Sequence, residues 1–328
     1  MLLPVTDTSC IAQARQQAKE LARRLAFAEE DRERAAIIAT ELTSNIIKHV
    51  GQGDVFVQAF DDGDGVGVEL IALDRGPGMA DVNRSLQDGY STAGSAGTGL
   101  GAVARLADVF AVHAKSGKGT AVLARIAGKE KPATGFIACG LAVALAGERD
   151  CGDAVAVVMD SKVASVVVAD GLGHGGMASA AANRAIGIFR QNRLLDPERI
   201  IGNMHDALRG TRGAAAASAR VDMAKGVIEF CGVGNIVGVF VERGIPRRMV
   251  SYDGTMGHVA SRIRGLTYRF EAPPLVLLHS DGIRVRWDLN DYPGLSESHP
   301  ALVAGVLFRD FRRSRDDASV MALKWRPK

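Results

Sequence analysis

Apolar residues at Ile11, Ala14, Ala18, Leu21 and Leu25 recur at helical spacing and predict an amphipathic helix, with Asp7 to Ser9 offering capping groups. A second helix is predicted from about Glu29 to His49, burying Ile37, Ile38, Leu42, Ile46 and Ile47. The rhythm then changes. DVFVQAF and VGVELIAL read as paired strands across a DDGDG turn, and SAGTGLGAVARLADVF as a glycine-rich loop feeding a helix, closed by a strand in SGKGTAVLA. From FIACGLAVALA onward the pattern is mostly strand: DAVAVVMD, VASVVVAD, AAAASARVD, GVIEFCGV, IVGVFVE, PLVLLHS and ASVMALKW. Two helices interrupt it, near Met177–Gln191 and Pro197–Arg209.

Between these two rhythms the stretch 127–135, AGKEKPATG, is polar and charged and carries Pro132, which marks a linker. Two domains are expected, 1–128 and 135–328, and 328 residues suffice for two cores. Hairpin-connected strands with helices gathered outside them indicate an α+β fold, with sheets at the centre of a sandwich. Hydrophobic residues at 47% and charged residues at 23% exclude a disordered chain. The net charge of +3 is small and dispersed, so nucleic acid is not an expected partner. No apolar run approaches the ~20 residues of a membrane span. Cys10, Cys139, Cys151 and Cys231 lie far apart without a C-x-x-C pair and read as reduced thiols of a cytoplasmic protein.

Chemistry enters at strand and helix ends. Glu41 and Asn45 in ELTSNIIKHV are four apart and project from one helix face, either as a solvated polar stripe or as two arms of one ligand site. ALDRGPGM ends an apolar strand in Asp74, and Gly76 and Gly78 let the backbone pass close to something flat. In GTGLG the free N–H groups at the start of the following helix can hold phosphate. GTGLGA also satisfies a dinucleotide pattern, but it follows no strand and lacks the acidic residue ~20 positions on. SGKGT lacks the upstream glycine of a P-loop.

Taken in order, Glu-x-x-x-Asn, Asp-x-Gly-x-Gly, Gly-Thr-Gly-Leu-Gly and SGKGTAVLA resemble the ATPase family shared by gyrase, the Hsp90 chaperone, histidine kinases and MutL, the GHKL fold, over roughly residues 8–126. Within that family the first half is most similar to the anti-sigma-factor serine kinases, in particular the stressosome switch kinase. No histidine lies in a paired-helix dimerisation segment, which speaks against a sensor histidine kinase. The resemblance implies that Asn45 holds Mg²⁺ against the phosphates of ATP, that Glu41 takes the proton from a serine hydroxyl, and that Asp74 accepts a hydrogen bond from the adenine amino group. It adds His49, Gly76, Gly78, Gly97, Thr98, Gly99, Leu100, Gly101 and Thr120 to the nucleotide pocket.

In the second half, VVVADGLGHGG ends an apolar strand at Asp170-Gly171, LVLLHSDGI ends another at Asp281-Gly282, and Asp316-Asp317 opens the last strand. Asp-Gly pairs are common turn formers, so any one of these is an ordinary turn. Together they are a different matter: two carboxylates ~4 Å apart repel by roughly 4 kcal/mol at an effective dielectric of 20. They either protonate or bind a cation, and hard divalent ions prefer oxygen ligands. Asp153 in CGDAVAVV, ADGLGHG, GVGN at 232–235, HSDGI and SRDDASV resemble the metal-dependent (PPM-type) serine/threonine phosphatases over about residues 136–326, closest to the bacterial branch of the sporulation and stressosome phosphatases. That resemblance implies an Mg²⁺ or Mn²⁺ centre bridged by Asp170, with the Gly171 carbonyl, Asp153, Asp281 and Asp316 completing it. Asp316 is preferred to Asp317 by aligning DD with the family's Asp-Asn ending. His174 touches the incoming phosphate, donates a proton, or braces its loop. Eukaryotic members place an arginine near the phosphate, and no motif here supplies one.

The two resemblances together imply a serine kinase and a phosphoserine phosphatase in one chain. Their target would be a small STAS-domain protein in a bacterial partner-switching module, of the sigma-regulatory or stressosome kind. The alternative is a first domain that binds ATP to sequester a partner, or senses nucleotide to regulate the phosphatase.

Overall fold

The computed structural model describes residues 1–79, 99–128, 135–193, 195–260 and 262–326. The chain forms two compact units: Met1–Pro132 with Glu297–Arg309, and Ala133–Ser296 with Asp310–Lys328. The linear division expected at 128–135 places residues 297–309 with the second half. Their contacts group them with the first unit.

In the first unit β1 (Leu2–Val5), β2 (Gly53–Asp62), β3 (Gly65–Asp74), β4 (Val109–Ala114) and β5 (Thr120–Ala127) form one antiparallel sheet in the order β1-β2-β3-β5-β4. Helices α1 (Ser9–Arg24), α2 (Glu29–His49) and α3 (Gly99–Leu106) cover one face. Ala14 and Ala18 of α1, Ile38, Leu42 and Ile46 of α2, and Val103 of α3 pack there against Val55, Val57, Leu70, Ala72, Val122 and Ala124. The small residues of α1 allow the close approach. Ile37, expected inside α2's apolar face, is 43% exposed, because the buried stripe runs through Ala35, Ala36, Ile38, Ala39 and Leu42.

The opposite sheet face meets α6 (Pro300–Phe311), a helix the hydropathy pattern does not predict. Phe308 stacks edge-on against Phe56 with ring centroids 5.1 Å apart. A Cβ on Gly305 would come within 2.9 Å of Leu73, so glycine is what lets helix and sheet touch. Residues 300–309 of this helix are all buried, which leaves PALVAGVLFR with no polar face and hence no helical periodicity to detect. Just before it, His299 Nε2 lies 3.0 Å from Asp64 Oδ2. Asp64 belongs to a buried ionic group in which Arg125 also binds Asp62 and Glu69.

The second unit is a sandwich of two antiparallel sheets. One contains β7 (Asp153–Met159), β8 (Val163–Gly171), β9 (Ala214–Asp222), β10 (Val227–Val233) and β13 (Leu266–Arg269), in the order β13-β10-β9-β8-β7. The other contains β6 (Phe136–Val143), β11 (Val237–Glu242), β12 (Ile245–Met249), β14 (Leu275–His279) and β15 (Ala318–Trp325), in the order β12-β11-β14-β15-β6. Val166, Val168, Ala217 and Phe230 from the first interlock with Phe240, Val276, Leu278, Met321 and Leu323 from the second. On the outer face of the first sheet, α4 (Gly176–Gln191) and α5 (Pro197–Ala207) pack Ala181, Ala182, Ala185, Ile200 and Met204 against Val167, Ala169, Ala216 and Cys231. Strands β12 and β13, absent from the sequence reading, are edge strands; both are short, and β12 carries exposed arginines that blunt its free edge.

Candidate functional site

Each unit gathers one set of the expected residues. In the first, α2 runs beneath both halves of the motif expected to hold nucleotide. Its Asn45 side chain meets the start of α3: a Cβ on Gly99 would lie 2.9 Å from Asn45 Oδ1. Asn45 Nδ2 is buried and finds no hydrogen-bond partner among the described residues. Glu41 is half-buried one turn earlier, and His49 is exposed at the helix end. Val50, directly after α2, abuts Gly76, where a Cβ would come within 2.5 Å of it.

Asp74 ends β3 and is fixed by backbone amides: Oδ1 accepts from Gly76 N–H at 2.8 Å and from Thr120 N–H at 3.2 Å. Gly78 has φ +73° and Gly119 φ +80°, and at each a Cβ would strike backbone of the neighbouring segment. Arg309 of α6, itself buried, donates from Nη1 to the Asp74 carbonyl at 3.0 Å and to the Thr120 carbonyl at 3.2 Å. Leu100 packs partly into the core and Gly101 is buried. Gly97 and Thr98 lie outside the described residues.

In the second unit, strand register sets Asp153 of β7 directly opposite Asp170 of β8. Asp153 is buried; its Oδ2 accepts from the Ser280 hydroxyl at 2.6 Å, while its Oδ1 makes no hydrogen bond among the described residues. Burial pushes the Asp153 carboxyl up to about 7, against the lowering effect of the Ser280 and Ser319 hydroxyls, with Asp317 and Asp316 adding to the rise. Burial likewise pushes Asp170 up to about 8, reinforced first by Asp153 and then by Asp281, Asp316 and Asp317. Asp316 is raised by burial and by Asp281. These carboxylates therefore share one electrostatic environment, as strand-end charges brought together by two packed sheets must.

Glycine makes the close fit possible. A Cβ on Gly171 would fall 2.1 Å from the Ala178 carbonyl of α4, and one on Gly282 only 1.8 Å from the Asp317 carbonyl. The neighbouring acids separate into two kinds. Asp317 is buried with Oδ1 accepting from Leu145 N–H at 2.7 Å and Oδ2 from Gly152 N–H at 3.0 Å. Asp316 is half-buried and Asp281 accepts from the exposed Asn235 amide at 2.8 Å. His174 is exposed, with Nδ1 2.6 Å from Glu148 Oε1.

Among the described residues, no three His, Cys, Asp or Glu side chains close on a common point as a finished metal shell. The donor set nevertheless fits a hard divalent ion. Its donors are carboxyl and carbonyl oxygens, one of them is buried without a partner, and Mg²⁺ and Mn²⁺ sites of this kind are completed by water. Two neighbours escaped sequence reasoning. Ser280, which holds Asp153, directly precedes Asp281 in HSDGI. Arg212 reaches the loop after Asp170 through space, its Nη1 3.1 Å from where a Cβ of Gly173 would sit. No linear spacing connects Arg212 to Asp170.

Comparison with known proteins finds a family for each half of the chain. Residues 5–126 match the histidine kinase-like ATPase domain family, and residues 160–326 match the family described as Stage II sporulation protein E (SpoIIE). The serine/threonine-protein kinase RsbT of Bacillus subtilis (strain 168) is 36% identical over 128 residues, 37% of this chain and 96% of the relative. The phosphoserine phosphatase RsbX of the same organism is 25% identical over 140 residues, 42% of this chain and 70% of the relative. A crystal structure of RsbX with magnesium has the same fold over 58% of this chain and 96% of that one, with a TM-score of 0.53 and 21% identity.

Proposed function

Because the chain belongs to the Stage II sporulation protein E (SpoIIE) family through residues 160–326, we propose that its second unit hydrolyses phosphoserine with Mg²⁺ or Mn²⁺ and its first transfers phosphate from ATP to serine. One small STAS-domain protein would be the substrate of both, in a cytoplasmic partner-switching module of the sigma-regulatory or stressosome kind. The likeness of the first unit to RsbT and of the second to RsbX supports this pairing.

The observation that carries the phosphatase half is the Asp153–Asp170 pair, two opposed carboxylates with one buried oxygen left unpartnered. Asp153, Asp170, the Gly171 carbonyl, Asp281 and Asp316 are the residues that would hold the metal. A bound divalent centre supplies charge neutralisation and a water acidified toward hydroxide. Ser280 orients Asp153, Asn235 orients Asp281, and Glu148 anchors His174 at the loop edge.

In the first unit Asn45 would hold Mg²⁺ and Glu41 would accept the serine proton. With Asp74 Oδ1 taken by two backbone amides, Oδ2 is the oxygen left for the adenine amino group. Residues 97–101 would enclose the phosphates, with Gly76, Gly78, Thr120 and His49 around the nucleotide. Such a site works by positioning and charge neutralisation, which is what phosphoryl transfer demands. A second reading, in which the first unit senses nucleotide and regulates the phosphatase, is favoured by Arg309: it binds the Asp74 and Thr120 carbonyls and lies between Asp281 and Asp316 in the chain.

The test uses the full chain carrying Asp170→Asn, so that phosphate once transferred is retained. Incubated with γ-labelled ATP, Mg²⁺ and candidate STAS proteins, it should label one of them on serine. Wild-type chain with Mn²⁺ should then remove the label. Adding Glu41→Gln should abolish labelling while ATP still binds. ATP binding without labelling of any STAS protein would leave the sensor reading standing and end the kinase one.

A further inference from the structure

Beside Asp316 the second unit carries a cleft of about 420 Å³ lined by Arg284, Arg313, Ser314, Arg315 and Asp316. Two chain segments are stitched together to build it. Ile283 and Arg312 form an antiparallel bridge, Arg284 N–H donates to the Phe311 carbonyl at 2.9 Å, and Arg313 N–H donates to the Gly282 carbonyl at 2.8 Å. Ile283 is fully buried, so the alternation of side chains across such a pair turns Arg284 and Arg313 to the other side, where both are exposed. Arg312 braces the arrangement by donating from Nη2 to the Ala144 carbonyl at 2.9 Å. The exposed arginines thus hang from the same backbone that carries Asp281 and Asp316.

Some exposed arginines of this chain have carboxylate partners, as Arg23 and Arg24 do with Glu20, and Arg199 with Asp196. Arg284, Arg313 and Arg315 make no ion pair among the described residues. Asp316 shares the cleft and feels the charge of Arg313, but its stronger charged neighbour is Asp281. Three like charges held at one rim repel one another, and their planar guanidinium groups suit carboxylates presented from outside.

We propose that this cleft docks acidic side chains flanking the phosphoserine of the protein substrate, so that charge complementarity at the rim selects which phosphoprotein is hydrolysed. The inference rests on the phosphatase reading of the second unit. Docking beside the carboxylate centre leaves the Asp153–Asp170 pair for the phosphoryl group itself. It also confines recognition to contacts that a small phosphate ester lacks.

The experiment uses the full chain with saturating Mn²⁺ and three phosphoserine peptides identical except for glutamate, glutamine or lysine flanks, with p-nitrophenyl phosphate as the substrate without flanks. Wild type should rank them acidic, neutral, basic, spanning about tenfold in kcat/KM and carried by KM. About 0.5 M salt should compress that span. The double variant Arg284→Glu/Arg315→Glu should invert the order while still hydrolysing p-nitrophenyl phosphate. Should it misfold, the single variant Arg284→Gln should flatten the ranking without inverting it. A wild type indifferent to the flanks, or variants that slow all three peptides by one factor, would overturn the proposal. A wild type inactive on p-nitrophenyl phosphate would instead remove the phosphatase reading and this inference with it.

Discussion

Asp153 and Asp170 face one another across the β7–β8 register, and each raises the energy of the other's ionised form. An ion between them removes that repulsion and supplies the unpartnered Asp153 oxygen with a ligand. Mn²⁺ or Mg²⁺ should therefore stabilise the wild-type chain by about 3 kcal/mol at a hundredfold excess over the dissociation constant, and so raise its thermal midpoint. Asp170→Asn should abolish the metal-induced rise together with phosphatase activity, yet leave the metal-free midpoint equal or higher. A metal-induced rise of the same size in Asp170→Asn, read by calorimetry, would take Asp170 out of the ligand set.

The Asp316-Asp317 pair should divide into metal and scaffold. Asp317 satisfies two backbone amides of the β6–β7 loop, and an amide side chain cannot accept at both of its terminal atoms. Asp317→Asn should thus lose about 1–3 kcal/mol of stability. Asp316→Asn, half-exposed, should keep its denaturation midpoint and lose metal affinity. Isothermal titration with Mn²⁺ beside a urea curve for each variant separates the two effects, and matching profiles would show that the division is wrong.

The first unit should depend on a helix supplied from far along the chain. A fragment ending at residue 132 leaves Phe56, Ile71 and Leu73 without the Phe308 and Gly305 that cover them. It should bind a hydrophobic dye and aggregate, where the full chain does neither. In the full chain, Arg309→Met should lower stability by about 1–3 kcal/mol, since it leaves the half-buried Asp74 and buried Thr120 carbonyls short of a donor, and should weaken ATP binding as the Asp74 strand end loosens. Unchanged ATP affinity in Arg309→Met would confine that residue to folding.

Acid should destabilise the second unit through His279. This fully buried ring donates from Nδ1 to the Ser280 carbonyl at 2.8 Å and accepts from Trp287 Nε1 at 3.1 Å, which makes it the neutral tautomer. Burial pushes it down to about 4, helped by Arg248 and opposed by the Ser280 carbonyl and Asp281. The unfolded chain takes the proton near pH 6.5 and the folded one only near 4, so stability falls as pH drops between those values and levels off below. The loss is on the order of 3 kcal/mol. The raised Asp153 and Asp170 carboxyls act in the opposite sense over this range, so the check is a difference: lowering the pH from about 7.5 to about 5 should destabilise wild type relative to His279→Gln, read from their denaturation midpoints.

Local patterning determined most of the strands and the first two helices of each unit. ASVMALKW is β15 residue for residue, and AAAASARVD is β9. Period and punctuation are short-range properties, written in neighbouring residues. The charges that end apolar strands were legible for the same reason, and so were the glycines that follow them. What the strands do to those charges was not legible, because opposition of Asp153 to Asp170 depends on register, and the division of labour between Asp316 and Asp317 depends on which amides approach from Leu145 and Gly152.

Tertiary structure alone decided the rest. It turned Ile37 outward, brought Arg212 to Gly173, and claimed residues 297–309 for the first unit. A helix buried on every side carries no amphipathic signal, and contacts between residues 235 apart, such as Asp74 with Arg309 or Asp64 with His299, leave no trace in any local window. They are selected by the burial of apolar surface and the pairing of buried polar groups, which only the assembled chain can satisfy.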